Sequence, residues 1–204
     1  FVVTSKDGIN IAMDPYNEQV KSTLPSVSAD IVLVSHSHYD HNNVELLSGS
    51  PEIVQGSGQY IVKGVKINGF PSFHDKSGGM ARGENTIFQF FIDDMMFAHL
   101  GDLGTEPTDD TMEALKNTDI IFIPVGGVFT INHIEAVSLI KKIQPKIAIP
   151  MHFKEQDTKV GVETINSFKS IASKDIELRE LKKEFEISKE TLPKETQIWI
   201  VYSS

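Results

Sequence analysis

Apolar positions along the chain recur with two periods, and each predicts its own elements. Short β-rich runs predict strands over residues 9–13, 30–34, 60–68, 85–92, 95–98, 119–123, 146–149, 176–178 and 197–201. The run at 30–34 is almost continuously apolar, which suggests a buried strand. Residues 60–68 alternate, and Asp93-Asp94 is placed to turn the chain between two neighbouring runs. Helical spacing appears later. Thr108 or Asp109 can cap a helix over 110–116. Residues 133–143 carry Ile134, Val137, Ile140 and Lys141 at helical spacing, and 162–172 align Val162, Ile165, Phe168 and Ile171. Residues 44–47 read as a short helix, with Asn42 and Asn43 leading in as a cap. The segment 70–84, with Pro71, Gly78, Gly79 and Gly83, is the richest in turn signals. Early strands are placed to pair locally, and later ones alternate with helices. That order predicts an α+β protein of mixed sheets with helices packed outside. No repeat, low-complexity tract or long linker divides the chain, so residues 1–204 read as one domain.

Composition narrows the function classes. The 204 residues hold 19 Lys+Arg against 28 Asp+Glu, a net charge of −9. A field of that sign works against nucleic-acid and anionic-membrane binding, and no basic stripe or aromatic-interleaved patch tracks a phosphate backbone. The expected partner is a small-molecule substrate; oligomeric state stays open. With no Cys, disulfides, thiolate catalysis, iron–sulfur clusters and Cys-type zinc sites are excluded. A cytoplasmic location is the default expectation. No apolar run approaches the roughly 18 residues of a membrane-spanning helix. Phe1 lies inside what reads as a strand, so a further N-terminal segment is expected before it. The stretch 179–190 mixes acidic and basic residues and reads as a solvated face.

The chemistry concentrates in Ser35-His36-Ser37-His38-Tyr39-Asp40-His41, directly after the buried run. The chain has only seven His, and three fall here beside an Asp. In extended backbone, positions i and i+2 share a side, so His36 and His38 can reach one ion together. Asp40 and His41 lie where the chain turns and can reach a second. Three more candidate ligands each follow an apolar run: His74, Asp102 and His152. Polar groups gathered at strand ends are a common way to build a site on sheets. Imidazole and carboxylate suit Zn2+, Mn2+, Fe2+ and Ni2+. Asp102 has two oxygens and could bridge two ions. Two divalent ions, two ionised carboxylates and one hydroxide sum to a local charge of about +1, which would attract an anion.

His-x-His-x-Asp-His is the signature of the metallo-β-lactamase superfamily, which this sequence resembles. The likeness continues through residues 12–16, the surroundings of His74, 82–86, 99–104, 124–127 with 129–130, and 149–153. These segments look like the branch of metal-dependent hydrolases that includes the ascorbate-6-phosphate lactonases. The resemblance implies a four-layer αββα sandwich with two metals at one edge, between the sheets. It implies that His36, His38 and His74 hold the first ion, that Asp40, His41 and His152 hold the second, and that Asp102 bridges. Members of the branch usually carry a strand and a Gly-His before the segment matching Phe1.

The expected activity is hydrolysis of a small, anionic ester, lactone or phosphodiester by a metal-bound hydroxide. Asp40 would orient that nucleophile or pass a proton, and Asp102 would hold both ions. Two zinc ions per chain are the expected cofactor. The alternative is a non-hydrolytic protein of the same fold, a di-iron redox protein or a metal-dependent binding module. Four residues are further candidates around the ligands. His99 could orient Asp102 or simply be a satisfied half-buried His. His133 could line the cleft or sit exposed at a helix start. Asp14 could support the metal loop by hydrogen bonds or merely start a turn. Arg82 could clamp a phosphate or carboxylate, stay solvated, or tie its loop to Glu84.

Overall fold

The computed structural model describes residues 1–21, 24, 26–181 and 184–202. Four strands, β1 (Val2–Thr4), β2 (Asn10–Met13), β3 (Ile31–Val34) and β4 (Glu52–Gln55), form a sheet in that order. β1 runs antiparallel to β2, and β2, β3 and β4 are parallel. Eight strands form the second sheet: β5 (Gly58–Val62), β6 (Val65–Phe73), β7 (Glu84–Ile92), β8 (Met95–His99), β9 (Ile120–Pro124), β10 (Ile147–Met151), β11 (Glu177–Leu181) and β12 (Gln197–Val201). Their order is β11-β12-β10-β9-β8-β7-β6-β5. β5 to β8 make an antiparallel meander. β8, β9, β10, β12 and β11 are parallel, with α1 (Asp109–Leu115), α2 (His133–Ile143) and α3 (Ile165–Ala172) in the crossovers.

The sheets stack face to face. Ile11, Met13, Ile31 and Leu33 of the small sheet meet Ile67, Phe88, Phe90, Phe122 and Trp199 of the large one. On its other face the large sheet packs Ile87, Ala98, Ile121, Ile123 and Ala148 against Leu115, Ala136, Val137, Ile140 and Phe168 of the helices. Each Ile, Leu, Val, Met or Phe among them contributes about 1.5–3 kcal/mol when fully buried. This is the layered sandwich that the resemblance implies. The outer face of the small sheet has thinner cover: Ala12, Val32 and Val34 are met by Val44 and Leu47 around a single 3₁₀ turn, Val44–Leu46. No helix among the described residues is long and apolar enough to cross a membrane.

Most predicted elements are present, and the departures have local causes. Residues 60–68 are two strands, because Lys63 and Gly64 both take positive φ and close a hairpin at Val62 and Val65. The turn-rich segment from 70 onward begins as strand, and β6 runs on to Phe73. Pro71 is tolerated there because β5 stops pairing at Gly69, which leaves that edge of β6 open. The third helix starts at Ile165 rather than 162, since the backbone of 162–164 is bound elsewhere: Glu163 donates to the Gly126 carbonyl and its own carbonyl accepts from Lys154. Asn43 caps nothing with its side chain; it donates instead to the Tyr16 carbonyl and so ties segment 41–43 to the loop after β2. Residues 179–181 complete β11, where Arg179 pairs with Glu177 and lies over Trp199. Lys182 and Lys183 lie outside the described residues.

Candidate metal centre

The topology sends four strand ends to one edge. β6, β8 and β10 run in the same direction through the large sheet, and their C-termini lead directly to His74, Asp102 and His152. β3 of the facing sheet leads to Ser35 and His36. A tight turn then brings His41 back, its amide donating to the His38 carbonyl at 3.0 Å. The His36 ring lies 4.6 Å from that of His38, 4.4 Å from His41 and 4.9 Å from His74.

Two triads result. One nitrogen each of His36, His38 and His74 lies within 4.8 Å of the others, and so do one nitrogen each of His41 and His152 and a carboxylate oxygen of Asp102. Asp102 Oδ2 stands between them. It is 3.1 Å from His74 Nε2, 3.4 Å from His41 Nε2, 3.5 Å from His152 Nε2 and 4.0 Å from His36 Nε2. Asp40 lies at the rim of the second triad, Oδ2 3.9 Å from His41 Nε2, with its side chain 22% exposed.

Behind the triads lies Asp14, buried just after β2 at φ 44. Its Oδ1 accepts from the Ser35 amide at 2.8 Å, and its Oδ2 from the Ser35 hydroxyl at 2.7 Å. The same Oδ2 accepts from His99 Nε2 at 2.7 Å and His41 Nδ1 at 3.1 Å. An ionised carboxylate only accepts, so the proton positions follow. The Ser35 hydroxyl spends its hydrogen on Asp14 and must accept from His36 Nδ1, 2.9 Å away. His36 and His41 therefore both carry a proton on Nδ1, which leaves each Nε2, facing Asp102, as the atom open to an ion; on His41 an ion would have to displace the proton that Asp102 favours there. Asp14 also lies close enough to His36 and His41 to form a third triad, but its two oxygens already accept four donors.

The protonation preferences express this geometry. Burial favours neutral Asp14, but His99 and His41 outweigh it and hold the carboxyl well below its usual range. Asp102 behaves likewise: burial opposes ionisation, and His152 and His41 more than restore it. Burial, with the neighbouring His41, pushes His36 down to about 3. Burial also lowers His38 and His152. His41 goes the other way, well above its usual value, because Asp102 and Asp14 overcome its burial.

The donor set fits divalent cations. His36 Nε2 and Asp102 Oδ1 are buried without a hydrogen-bond partner among the described residues. A buried polar atom left unmatched costs about 1–3 kcal/mol, which a bound ion would recover.

Close backbone approach fixes the ligand-bearing turns. A Cβ on Gly104 would lie 2.3 Å from the His74 carbonyl carbon, and one on Gly126 only 1.8 Å from the His152 carbonyl oxygen. His152 itself takes φ 56, a left-handed conformation that costs a non-glycine residue about 1–3 kcal/mol. Asn85 accepts from the Asp102 amide at 3.0 Å and donates to Ser72 Oγ and the Leu100 carbonyl.

The other sequence candidates sit around this core. His99 serves Asp14 rather than Asp102. His133 opens α2 and pairs through Nδ1 with Glu163 at 3.0 Å. Arg82 stacks its guanidinium over the Phe129 ring at 4.4 Å, and Phe129 meets His152 edge-on at 6.4 Å. Ser35, Asn85, Phe129 and Asp75 carry roles that sequence reasoning did not assign. Ser35 and Asn85 lie inside the resembling segments, so their position was a signal. Phe129 lies inside them as well, at 129–130, but it acts on residues distant in sequence.

Comparison with known proteins agrees with this geometry. The sequence profile described as β-lactamase superfamily domain matches residues 1–152. A UPF0173 metal-dependent hydrolase of Pelotomaculum thermopropionicum is 29% identical over 174 residues, spanning 70% of this chain and 76% of its own. One from Methanopyrus kandleri is 28% identical, with 72% and 77% covered. Among solved structures, a metallo-β-lactamase superfamily protein of Thermotoga maritima superposes with a TM-score of 0.80 at 29% identity, covering 98% of this chain and 93% of that one. A diiron β-hydroxylase of Streptomyces venezuelae shares the fold at 13% identity, with a TM-score of 0.52 over 74% of this chain and 42% of its own. With the profile spanning three quarters of the sequence, this chain belongs to the metallo-β-lactamase superfamily.

Proposed function

We propose that the protein is a binuclear metal-dependent hydrolase acting on a small ester, lactone or phosphodiester, with zinc as its metal. The observation that carries this is the pair of Nε2 atoms on His36 and His41, oriented by one buried carboxylate and converging on Asp102. His36, His38 and His74 would hold one ion, and Asp40, His41 and His152 the other, with Asp102 shared. Bound divalent cations supply a Lewis acid for the substrate oxygen and lower the pKa of water. The chain supplies the rest. Asp40, partly exposed beside His41 Nε2, accepts a proton from the attacking water and hands it to the leaving group. Asp14 keeps the Nδ1 protons of His36 and His41 in place throughout. Asn85 fixes the Asp102 backbone and thereby its carboxylate.

The relatives described as metal-dependent hydrolases support the reaction class. The decisive experiment screens zinc-loaded protein against lactones, thioesters, β-lactams and phosphodiesters, with metal analysis alongside. His38→Ala and Asp102→Ala are expected to lose metal and hydrolysis together; full retention of both overturns the proposal. The same donors suit iron, and the hydroxylase neighbour shares this fold. Iron in the purified protein, with no hydrolysis of any of these substrates, would favour the redox reading.

A further inference from the structure

Arg82 stands out on a chain of net charge −9. It is one of two arginines, and the other, Arg179, pairs with Glu177. Arg82 is exposed and has no carboxylate partner among the described residues, Glu84 included. Its position is nevertheless held at three points. The Asp75 carboxylate, next to the ligand His74, accepts the Arg82 amide at 2.8 Å and the Ala81 amide at 3.0 Å. It also accepts the Ser77 and Gly79 amides, at 2.7 and 3.1 Å, so one side chain shapes the whole loop. At the loop's end the Gly83 carbonyl accepts the His74 amide at 3.1 Å, which returns the chain to the ligand. Finally the guanidinium carbon sits over the Phe129 ring, 4.4 Å from its centroid, and that ring meets His152 edge-on.

Stacking on one face leaves the edge of a guanidinium open, and its forked donors lie along that edge. An unpartnered fork, fixed one aromatic ring away from a metal ligand, is suited to grip two anionic oxygens at once. We propose that Arg82 is the specificity-determining residue of this site, binding a carboxylate or phosphate carried by the substrate some bonds away from the scissile group. Phe129 is its shelf and Asp75 positions its loop. The proposal rests on the hydrolase reading and adds the substrate class: an ester or lactone bearing a remote anionic group.

The test compares mono-4-nitrophenyl glutarate with its neutral counterpart 4-nitrophenyl pentanoate on zinc-loaded protein. The wild type is expected to favour the anionic ester in kcat/KM. Arg82→Met should cut that preference roughly tenfold or more, chiefly through KM. Arg82→Lys should restore only part of it, because an ammonium cannot fork. High salt should shrink the wild-type preference and leave that of Arg82→Met unchanged. Calorimetric binding of glutarate against pentanoate reads the same contact without turnover. A wild type without preference, or a preference unchanged in Arg82→Met, overturns the clamp. If neither ester is hydrolysed yet Arg82→Met still abolishes selective glutarate binding, the clamp stands and the hydrolase reading falls.

Discussion

Asp14 shows how much one side chain can decide. It fixes the Nδ1 proton of one imidazole in each triad, directly for His41 and through Ser35 for His36. Asp14→Asn keeps the shape but places an NH2 where an acceptor is needed. It is expected to weaken zinc binding about 10- to 100-fold at both positions, measured by competition with a chromogenic chelator. Stability should follow pH through His36. Its folded value is about 3, against an ordinary 6.5. Between those values the unfolded chain binds a proton that the native state refuses, so stability falls as pH falls. The slope reaches about 1.4 kcal/mol per pH unit for one such group. His41, raised in the fold, acts oppositely: it stabilises below 6.5 and loses that contribution as pH rises through its folded value. In chelator-treated protein, His36→Gln should flatten the acid-side fall in urea midpoint between about pH 6 and 4. The cluster itself was legible because spacing and residue type travel together in 36–41. Support of the metal loop by Asp14 was one of the two readings the sequence left open, whereas its pairing with His99 was not legible, since 85 positions separate two side chains 2.7 Å apart.

At the level of strands and turns, the ligands depend on backbone contacts that admit no side chain. Gly126→Ala would drive a methyl into the His152 carbonyl, 1.8 Å from an ideal Cβ. The expected result is a shift of the turn, with zinc stoichiometry falling from two toward one in elemental analysis. The helical pattern of 133–143 was readable because its cap agrees with its period: Asn132 and Glu135 form a reciprocal capping box, and Lys141 and Lys142 lie in the last turn. The Asp93-Asp94 turn was readable for a similar reason, and both residues take positive φ. Strand β4 escaped notice, and β1 was read only as a strand around Phe1, without bounds. They are edge strands of three and four residues with little buried face, and their pairing partners define them more than their own composition does.

Across the whole molecule, two apolar layers of unequal support carry the site. Helices α1, α2 and α3 back the large sheet, whereas one 3₁₀ turn backs the small one. Phe168, fully buried under the large sheet, should cost about 3–5 kcal/mol when cut to Ala, read as a lower urea midpoint. The sandwich itself was legible through its signature and its late βαβ order. The thin cover was not, because residues 44–47 read as helix and Asn43 spends its side chain on Tyr16. That asymmetry has a consequence for assembly. His36, His38, Asp40 and His41 hang from the weakly roofed half, while His74, Asp102 and His152 belong to the well-braced one. A cation held by both halves would act as a bolt across a seam, so stripping it with a chelator should speed amide deuteration in β2 and β3 while β9 and β10 stay protected.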